Sequence, residues 1–319
     1  MASRPAPNVN IRAATDDDLD EIRSVCGAAL GWSDPTFDSA LFQWKHLDNA
    51  FGRSLLLVAE DESGILAVRP FMRWRFRKGS MTIDAARAVD TATRPDAQGQ
   101  GLFRTLTTVG LERLEEEGTG FVFNTPNSKS LPGYLKLGWA DVGPIPLGVG
   151  LASPRSNPLA VLRVAKSRVA AGKRSLPMDD LGESIEVGLE MIGDYEAKAS
   201  ILSTDHDLET LRWRYAGGPI EYRFLPGLKQ SGLVVRLRQR GEARELVVAA
   251  TLGEPDERSH KLAIRDAMTR LRADHFIGGA GTPGTITAGR VGPTLALRPI
   301  HSAADASMFR WELGDIEVF

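Results

Sequence analysis

Two closely spaced glycines, Gly99 and Gly101, follow Pro95 between a β-rich segment and an amphipathic helical pattern. Backbone amides at such a turn, where it opens a helix, form a cradle for phosphate oxygens. The stretch 91–106, which reads TATRPDAQGQGLFRTL, therefore predicts a site for a phosphate-bearing ligand. It is not a dinucleotide turn, which needs a small residue where Arg104 stands. It is not a nucleotide P-loop either, because the Gly-Lys-Ser/Thr ending is missing.

The elements that must hold this turn follow from the hydrophobic periodicity. We predict strand, helix, helix, three strands, helix and strand, at residues 9–14, 15–29, 37–46, 54–59, 64–76, 81–93, 101–116 and 121–124. This order predicts an α/β (mixed α+β) fold in which helices flank a central, mostly antiparallel mixed sheet. The glycine turn lies inside a strand–helix–strand unit, so we expect it at the carboxyl edge of the sheet, where anionic ligands bind.

The glycine turn resembles the acyl-CoA-binding motif of the GNAT N-acetyltransferase superfamily. In that motif a Gln or Arg is followed three positions on by Gly and two further on by Gly or Ala, after a strand and usually a proline. Pro95, Gln98 and Gly101 match the pattern, whereas Phe103 stands where the last small residue would be.

A second segment resembles a later motif of the same superfamily, in which a strand precedes a short helix that carries a tyrosine and has a Leu-Gly-aromatic ending. The matching residues are Asn124, Asn127, Ser128, Tyr134, Gly138 and Trp139. Taken alone, Asn127 and Ser128 would be a helix cap and Tyr134 a core residue. The two motifs occur in the family's order and separation, and the resemblance covers residues 1–150.

The resemblance implies acyl transfer to an amine, with acetyl-CoA or another acyl-CoA as co-substrate and no metal. Tyr134 would protonate the departing thiolate, since the ordinary pKa of a tyrosine, about 10, is close to that of a thiol, about 8.5. Asp90 would accept the amine proton, directly or through water. Alternatively, Asp90 forms an ion pair with Arg87 or Arg94. Asp84 and a water chain are the further candidates for the base.

The resemblance also implies how the cofactor is held. Backbone amides from Gln98 to Arg104 would bind the pyrophosphate, and the strand from Thr91 to Thr93 would pair with the pantetheine arm and supply an oxyanion amide. The full predicted set is Thr91, Ala92, Thr93, Gln98, Gly99, Gln100, Gly101, Leu102, Phe103, Arg104, Asn124 and Asn127.

Composition excludes several classes of function. With 319 residues, 42% of them hydrophobic and 25% charged, the chain is globular. A net charge of -2 argues against nucleic-acid binding through a global basic field. No apolar run is long enough to span a bilayer and the N-terminus lacks the core of a signal peptide, so we expect a cytoplasmic protein without membrane contact. Cys26 is the only cysteine and is expected to be a buried apolar residue, and the histidines lack metal-ligand spacing.

The second half of the chain echoes the first. FQWKH at 42–46 recurs as LRWRY at 211–215, and GILAVR at 64–69 recurs as GLVVR at 232–236. We predict a catalytic domain at 1–150, a basic linker helix at 151–182 and a degenerate GNAT-like copy at 183–319. The basic stretch 154–174 has two alternative interpretations, contact with phosphate or docking of an acyl carrier protein.

The second copy is expected to lack the chemistry of the first. Its segment 253–259, GEPDERS, has no paired glycines and carries three acidic residues that would repel a pyrophosphate. We predict a strand at 185–192 and helices at 195–202 and 207–215. Strands that end at residue 252 follow, and then a helix at 257–271 and a strand at 275–278. Final strands at 294–300 and 308–319 would complete the second sheet around Trp311. This copy would pack on the first and wall the acceptor cleft.

The leading hypothesis is an N-acyltransferase that moves an acetyl or short acyl group from acyl-CoA to the primary amine of a small molecule in a ternary complex. An acyl carrier protein is an alternative donor. A CoA-binding regulatory or scaffold protein without turnover is the alternative from another class. The sequence names neither the acceptor nor the oligomeric state.

Overall fold

The structure is a computed structural model that describes residues 9–151, 159, 171–193, 201–254, 256–288, 292–302 and 309–316. Its strands form two sheets. In the first sheet the order is β1-β2-β3-β4-β6-β15-β7, and β5 and β9 pair with β3. The bounds are β1 Asn10–Ala13, β2 Leu55–Asp61, β3 Gly64–Lys78, β4 Met81–Ala88, β5 Ala92–Thr93, β6 Phe121–Asn124, β7 Ala140–Pro144, β9 Ser203–Thr204 and β15 Thr294–Pro299. All pairs are antiparallel except β4 with β6, which confirms a mostly antiparallel mixed sheet.

Four helices accompany the first sheet among the described residues: α1 Leu19–Leu30, α2 Pro35–His46, α3 Leu102–Glu116 and α4 Leu131–Lys136. Local signals set their ends. Asp34 accepts a hydrogen bond from the backbone of Phe37 at the start of α2, and Gly31 ends α1 in the left-handed conformation. The predicted helices and strands of this half are confirmed to within a few residues.

One predicted strand is broken. Residues 81–93 form β4 and β5, with Asp90 between them at a φ of 49°. β4 pairs with β6 only as far as Arg87 and Phe123, whereas β5 pairs with β3. Because β5 pairs with β3 and not with β6, the sheet opens at this point. The broken strand therefore creates a gap beside the glycine turn.

The second sheet has the order β10-β11-β12-β13-β8-β14. Its strands are β8 Leu147–Gly150, β10 Arg223–Pro226, β11 Gly232–Arg240, β12 Ala243–Leu252, β13 His275–Gly279 and β14 Ile286–Ala288, and the helices of this half are α5 Ile185–Ile192, α6 Leu208–Tyr215 and α7 Glu257–Arg270. As in the first sheet, one central pair is parallel, here β12 with β13. The orders correspond strand for strand when β2-β3-β4-β6-β15-β7 is set against β10-β11-β12-β13-β8-β14.

Each sheet contains residues from the other half of the chain, and in the first sheet these include β9, which pairs with β3. β15 lies between β6 and β7 in the first sheet, and β8 lies between β13 and β14 in the second. The prediction that 294–300 completes the second sheet was therefore wrong, because alternating apolar residues specify a strand but not its partner. The predicted domain boundary at residue 150 therefore does not separate the two sheets, because β8 precedes it but belongs to the second sheet, and β15 follows it but belongs to the first.

The prediction of a strand at 185–192 was also wrong. Ser184 caps a helix there by accepting a hydrogen bond from the backbone of Val187. Ile185, Leu189 and Ile192 are buried at helical spacing, so the periodicity outweighs the β-propensity of the isoleucines. Of the predicted helix at 195–202, residues 195–200 lie outside the described residues, and Ile201 and Leu202 are not helical. Most of the basic stretch 154–174 also lies outside them. The predicted linker helix at 151–182 is wrong over its described end, because residues 171–182 form a β-bridge, bends and turns.

The two halves share one hydrophobic core. Its largest cluster joins Trp74 and Phe123 of the first sheet to Phe224 and Val247 of the second. At the centre of this contact Trp44 and Trp213 stack with ring centroids 5.1 Å apart. Each indole nitrogen donates to the other residue's carbonyl oxygen, at 2.7 and 3.0 Å.

The final segment contacts both sheets: the backbone of Thr251 in β12 donates to Glu312, whereas the ring of Trp311 faces the first sheet. Trp311 contacts the rings of Phe76 and Phe123 at 5.5 and 5.4 Å between centroids. Residues Leu313–Asp315 form a 3-10 helix. The prediction that a strand places Trp311 in the core of the second sheet was wrong, because its aromatic partners come from β3 and β6.

No helix within the described part of the chain is long and apolar enough to cross a membrane.

Candidate active site

The gap in the first sheet brings the predicted cofactor segments together. One edge of β5 pairs with β3, and its other edge faces the gap where the pairing between β4 and β6 ends. An extended ligand can add to such an edge through main-chain hydrogen bonds. Asn124 ends β6 beside the gap, and its buried Oδ1 has no hydrogen-bond partner among the described residues. An orphaned buried acceptor at this place fits a site that a polar ligand completes.

The glycine turn lies at the start of α3. Gly99 and Gly101 both adopt the left-handed conformation, with φ of 81° and 79°. Gly101 is the N-cap residue, no side chain caps the helix, and its first turn contains no acidic residue. The amino end of this helix thus offers backbone amides and a positive dipole to an anion. Gln98, Gly99 and Arg104 are exposed, as a pyrophosphate cradle requires.

Phe103, the departure from the family motif, packs against α4. Its ring stands edge-on to the ring of Tyr134, with centroids 5.3 Å apart. A Cβ on Gly133 would lie 3.3 Å from the Phe103 ring, so the glycine in α4 makes the room that the large side chain needs. Phe103 therefore connects α3 to α4.

Tyr134 lies on α4 in an aromatic and cationic setting. It is 4% exposed, and its ring contacts Trp139 at 5.1 Å between centroids. Its hydroxyl accepts a hydrogen bond of 2.9 Å from Nη1 of Arg69. The same nitrogen donates to Oγ1 of Thr91, in the segment predicted to bind the acyl group. The structure thus links the predicted acid to that segment through one arginine.

Arg69 was missed by the sequence reasoning. It lies in β3 with no solvent exposure, and its guanidinium is 4.7, 5.2 and 5.3 Å from the ring centroids of Phe71, Phe103 and Tyr134. The signal was present in the sequence, because Arg69 is the one charged residue of an otherwise apolar run, GILAVRPFM. Burial of a charged side chain in a strand is energetically costly, so its presence indicates a specific role.

Asp90 has partners that the sequence did not indicate. Its carboxylate binds Nζ of Lys45 and lies 3.0 Å from Nε2 of His46, both at the end of α2. Burial by itself would raise the pKa of Asp90, but the charge of Lys45 and the hydrogen bond from His46 outweigh it and hold that pKa well below its usual range. The two predicted partners have other contacts: Arg94 binds Asp96, and Arg87 donates to the backbone of residue 315.

Residues 10–142 of the chain match the family described as the acetyltransferase (GNAT) domain. The chain carries a GNAT acetyltransferase domain. The domain makes the protein an enzyme of the acyl-CoA-dependent N-acetyltransferase type. No curated protein sequence matches the chain.

Solved structures resemble the chain well beyond the GNAT domain. A conserved protein of unknown function from Enterococcus faecalis V583, a probable N-acyltransferase, aligns with a TM-score of 0.62 at 12% identity, and the alignment covers 92% of this chain and 73% of that chain. A GCN5-related N-acetyltransferase from Kribbella flavida aligns with a TM-score of 0.55 at 13% identity, covering 92% and 71%. Eis1 from Mycobacterium abscessus aligns with a TM-score of 0.54 at 14% identity, covering 92% and 73%. At these identities the likeness shows the fold alone.

The remaining predicted residues differ in their surroundings. In the GNAT domain, Oδ1 of Asn127 accepts from the backbone of Lys129 and Ser130, both at 3.0 Å, so this side chain caps the turn before α4. Asp84 is 65% exposed and pairs with Arg75. Burial raises the pKa of the Cys26 thiol to about 12, which fits an unreactive core residue.

The second half differs from the GNAT domain at the helix that corresponds to α3. The carboxylate of Asp256 caps α7 by accepting from the backbone of Arg258 and Ser259. Glu257 adds a second negative charge in the first turn. This helix start is occupied by its own chain and repels anions, unlike the uncapped start of α3.

The final segment of the chain reaches the edge of the candidate site. Arg87, buried in β4, donates to the carbonyl oxygen of Asp315 and, at 3.2 Å, to Oγ1 of Thr125. Thr125 directly follows β6, where the sheet opens. Residues of the second half therefore lie beside the gap in the first sheet. Among the described residues, no three His, Cys, Asp or Glu side chains converge as a metal site.

Proposed function

We infer that the GNAT domain transfers an acetyl or other short acyl group from acyl-CoA to the primary amine of a small molecule. The observation that carries this proposal is one linked cluster. Arg69 joins Thr91 of the acyl segment to Tyr134, and Tyr134 contacts Phe103 at the start of the phosphate-binding helix. Binding groups and a proton donor for one thioester therefore meet at one opening of the sheet.

Cofactor binding would use backbone more than side chains. The pyrophosphate would lie at the amino end of α3, on amides from Gln98 to Arg104, where two left-handed glycines shape the turn. The pantetheine arm would add to the open edge of β5, at Ala92 and Thr93. The carbonyl oxygen of the thioester would then meet a backbone amide of the same segment, which stabilises a developing oxyanion.

Acyl transfer would proceed by direct attack. The neutral amine nitrogen forms a bond to the acyl carbon, and the carbon–sulfur bond breaks as its electron pair moves to sulfur. Tyr134 supplies the proton that sulfur takes up, and the amide product keeps the acyl group. The burial of Tyr134 supports this assignment, because a proton donor within a protein interior does not compete with bulk water.

The group that accepts the amine proton is the remaining component. Asp90 as the base stays a prediction, and its surroundings weigh against it. Lys45 and His46 hold the pKa of Asp90 well below its usual range, and a weakly basic carboxylate is a poor proton acceptor at neutral pH. We favour water as the immediate acceptor, with Asp90 holding Lys45 in place.

We also propose that the second half is a non-catalytic copy of the GNAT fold. Three observations support this: the matching strand orders, the reciprocal hydrogen bonds of Trp44 and Trp213, and the offset of 169 residues between these two tryptophans. The capped, acidic start of α7 supports the loss of cofactor binding. Its role would be to wall the acceptor side of the first copy.

The test is release of CoA thiol from acetyl-CoA with a panel of primary amines. We expect turnover with at least one amine and a fall in kcat of about 100-fold for Tyr134→Phe, in the range of a lost general acid. Tyr215→Phe is the matched control, because Tyr215 is 2% exposed and its hydroxyl has no hydrogen-bond partner among the described residues.

Other outcomes would favour the alternatives. Tight CoA binding without thiol release from any amine, and no change on Tyr134→Phe, would indicate a CoA-binding protein without turnover. Turnover with an acylated carrier protein but not with acyl-CoA would indicate the other donor. Lys173 and Arg174 of the basic stretch already pair with Asp38 and Asp34, which makes these two residues poor docking groups.

A further inference from the structure

Arg69 carries a buried positive charge without a carboxylate partner among the described residues. Its side chain has no solvent exposure, and Nε and Nη2 have no hydrogen-bond partner in the described part of the chain. Three aromatic rings, of Phe71, Phe103 and Tyr134, surround the guanidinium within 5.3 Å. Aromatic faces attract a cation but stabilise it less than a carboxylate does, so the fold keeps this charge at a cost.

The contacts of Nη1 fix the direction of two hydrogen bonds. A guanidinium has donors only, and Nη1 carries two hydrogens. One goes to Oγ1 of Thr91 and the other to the hydroxyl oxygen of Tyr134. Both hydroxyl oxygens must therefore act as acceptors toward Arg69, which leaves the hydroxyl hydrogen of each residue to point elsewhere. For Tyr134, that hydrogen is the one a thiolate would take.

We propose that Arg69 is a positioning residue for acyl transfer: it aims the phenolic hydrogen of Tyr134 at the leaving sulfur and stabilises the phenolate that remains. This inference rests on the proposed function. The guanidinium needs no carboxylate in the resting enzyme because its anionic partner forms during the reaction.

The electron and proton balance is as follows. The amine nitrogen bonds to the acyl carbon, the carbon–sulfur bond breaks with its electron pair on sulfur, and sulfur takes the phenolic proton. The negative charge then resides on the oxygen of Tyr134, 2.9 Å from Nη1 of Arg69. A hydrogen bond between a guanidinium and a phenolate is charge-assisted and stronger than one to the neutral phenol. A proton released by the amine returns Tyr134 to its neutral form.

Thr91 gives the arrangement a second function. It directly precedes β5, the strand proposed to hold the pantetheine arm and the oxyanion. Because one nitrogen of Arg69 holds both hydroxyls, the acyl segment and the acid keep a constant separation although they are 43 residues apart, from 91 to 134. Effective acyl transfer depends on such preorganisation, since small misplacements reduce rates strongly.

The experiment is a double-mutant cycle on kcat with the full chain. Arg69→Met is expected to lower kcat about 10- to 100-fold while KM for acetyl-CoA changes less than about threefold. In the Tyr134→Phe background the same substitution is expected to lower kcat by less than about twofold, because Arg69 acts through the phenol. Arg75→Met, in the same strand but at an exposed ion pair, is the control and should leave kcat unchanged.

Equal losses from Arg69→Met in both backgrounds, or a raised KM with unchanged kcat, would overturn the proposal. Arg69→Lys covers the case in which the methionine variant does not fold. It keeps the charge but cannot hold two hydroxyls in a planar fork, so we expect a fall in kcat of about tenfold with the same lack of additivity.

A second readout does not depend on turnover. With tyrosine labelled at Cζ with carbon-13, the Tyr134 resonance is expected to move in Arg69→Lys and to stay in place in Arg75→Met. An unmoved resonance refutes the contact on which the inference rests. The resonance can move although the wild-type enzyme releases no CoA with any amine. That result would confirm the contact between Arg69 and Tyr134 but refute the proposed function, and with it the role of Arg69 in acyl transfer.

Discussion

The ion pair between Lys45 and Asp90 predicts that Asp90→Asn will destabilise the protein. The substitution removes one negative charge with little change in shape. Asp90 has a φ of 49°, and asparagine tolerates this left-handed conformation well, so the backbone is not strained by the replacement. Any loss can then be assigned to the missing charge, which Asp90→Ala would not permit because alanine disfavours the conformation.

The expected magnitude follows from burial. The side chain of Lys45 is 5% exposed and that of Asp90 is 23% exposed. Loss of the carboxylate leaves a buried ammonium without its partner, which costs about 3–5 kcal/mol. His46, with no exposure, also loses its acceptor at Nε2. The total is a large part of the roughly 5–15 kcal/mol by which domains are stable.

The assay is the free energy of unfolding from urea titration. We expect Asp90→Asn to lose about 3–5 kcal/mol at pH 7 and the double variant with Lys45→Met to recover most of it, because the double variant leaves no unpaired charge. Asp96→Asn is the control: Asp96 is 65% exposed in its pair with Arg94, and exposed pairs contribute about 0–1 kcal/mol. A loss below 1 kcal/mol for Asp90→Asn would refute this reasoning.

The pH dependence gives an independent check. The folded state holds the pKa of Asp90 well below its unfolded value of about 3.9. Its contribution to stability is therefore fully present above that unfolded value and is lost as the pH falls further. Asp90→Asn should abolish this part of the acid destabilisation. The double variant also tests Asp90 in catalysis: if its pH–rate profile equals that of the wild type, Asp90 is not the base.

Three further predictions concern other parts of the chain. Glu245→Gln should lower the free energy of unfolding in urea by about 3–5 kcal/mol, because the carboxylate is 2% exposed and pairs with the buried Arg238 at 2.6 Å. Glu257→Gln, at an exposed ion pair, is the control, and an equal loss of stability in both variants would contradict the prediction. Burial and the charge of Asp315 raise the pKa of Glu312 from 4.5 to about 7, so the stability conferred by its protonated form is lost as pH rises through that range. Glu312→Gln should be more stable than wild type by about 3 kcal/mol at pH 8 and equal to it at pH 4, and equal stability at pH 8 would refute the shift. Gly101→Ala should cost about 1–2 kcal/mol, since Gly101 has a φ of 79°, and should weaken CoA binding in a calorimetric titration. Gly79→Ala, in a β-turn with φ of 56°, should cost similar stability and leave CoA affinity unchanged, and equal affinity for both variants would argue against the cradle.

Much of the first half could be predicted from local patterns. The glycine turn, the helix that follows it and Tyr134 lie within stretches whose structure depends on near neighbours. Helix caps, glycine conformations and apolar periodicity are interactions over a few residues, so they are visible in sequence. The same patterns failed at 185–192, where we predicted a strand although the Ser184 cap and the helical spacing of the buried residues favour a helix.

The sequence alone determined the elements, the glycine turn and the identity of the residues that could do chemistry. The tertiary structure alone decided which elements pair and which side chains meet. The exchange of β8 and β15 between sheets, the pairing of Lys45 with Asp90 and the bridge from Arg69 to Thr91 and Tyr134 all join residues distant in the chain. Such contacts depend on burial and on the closure of long loops, and neither leaves a fixed spacing in the sequence.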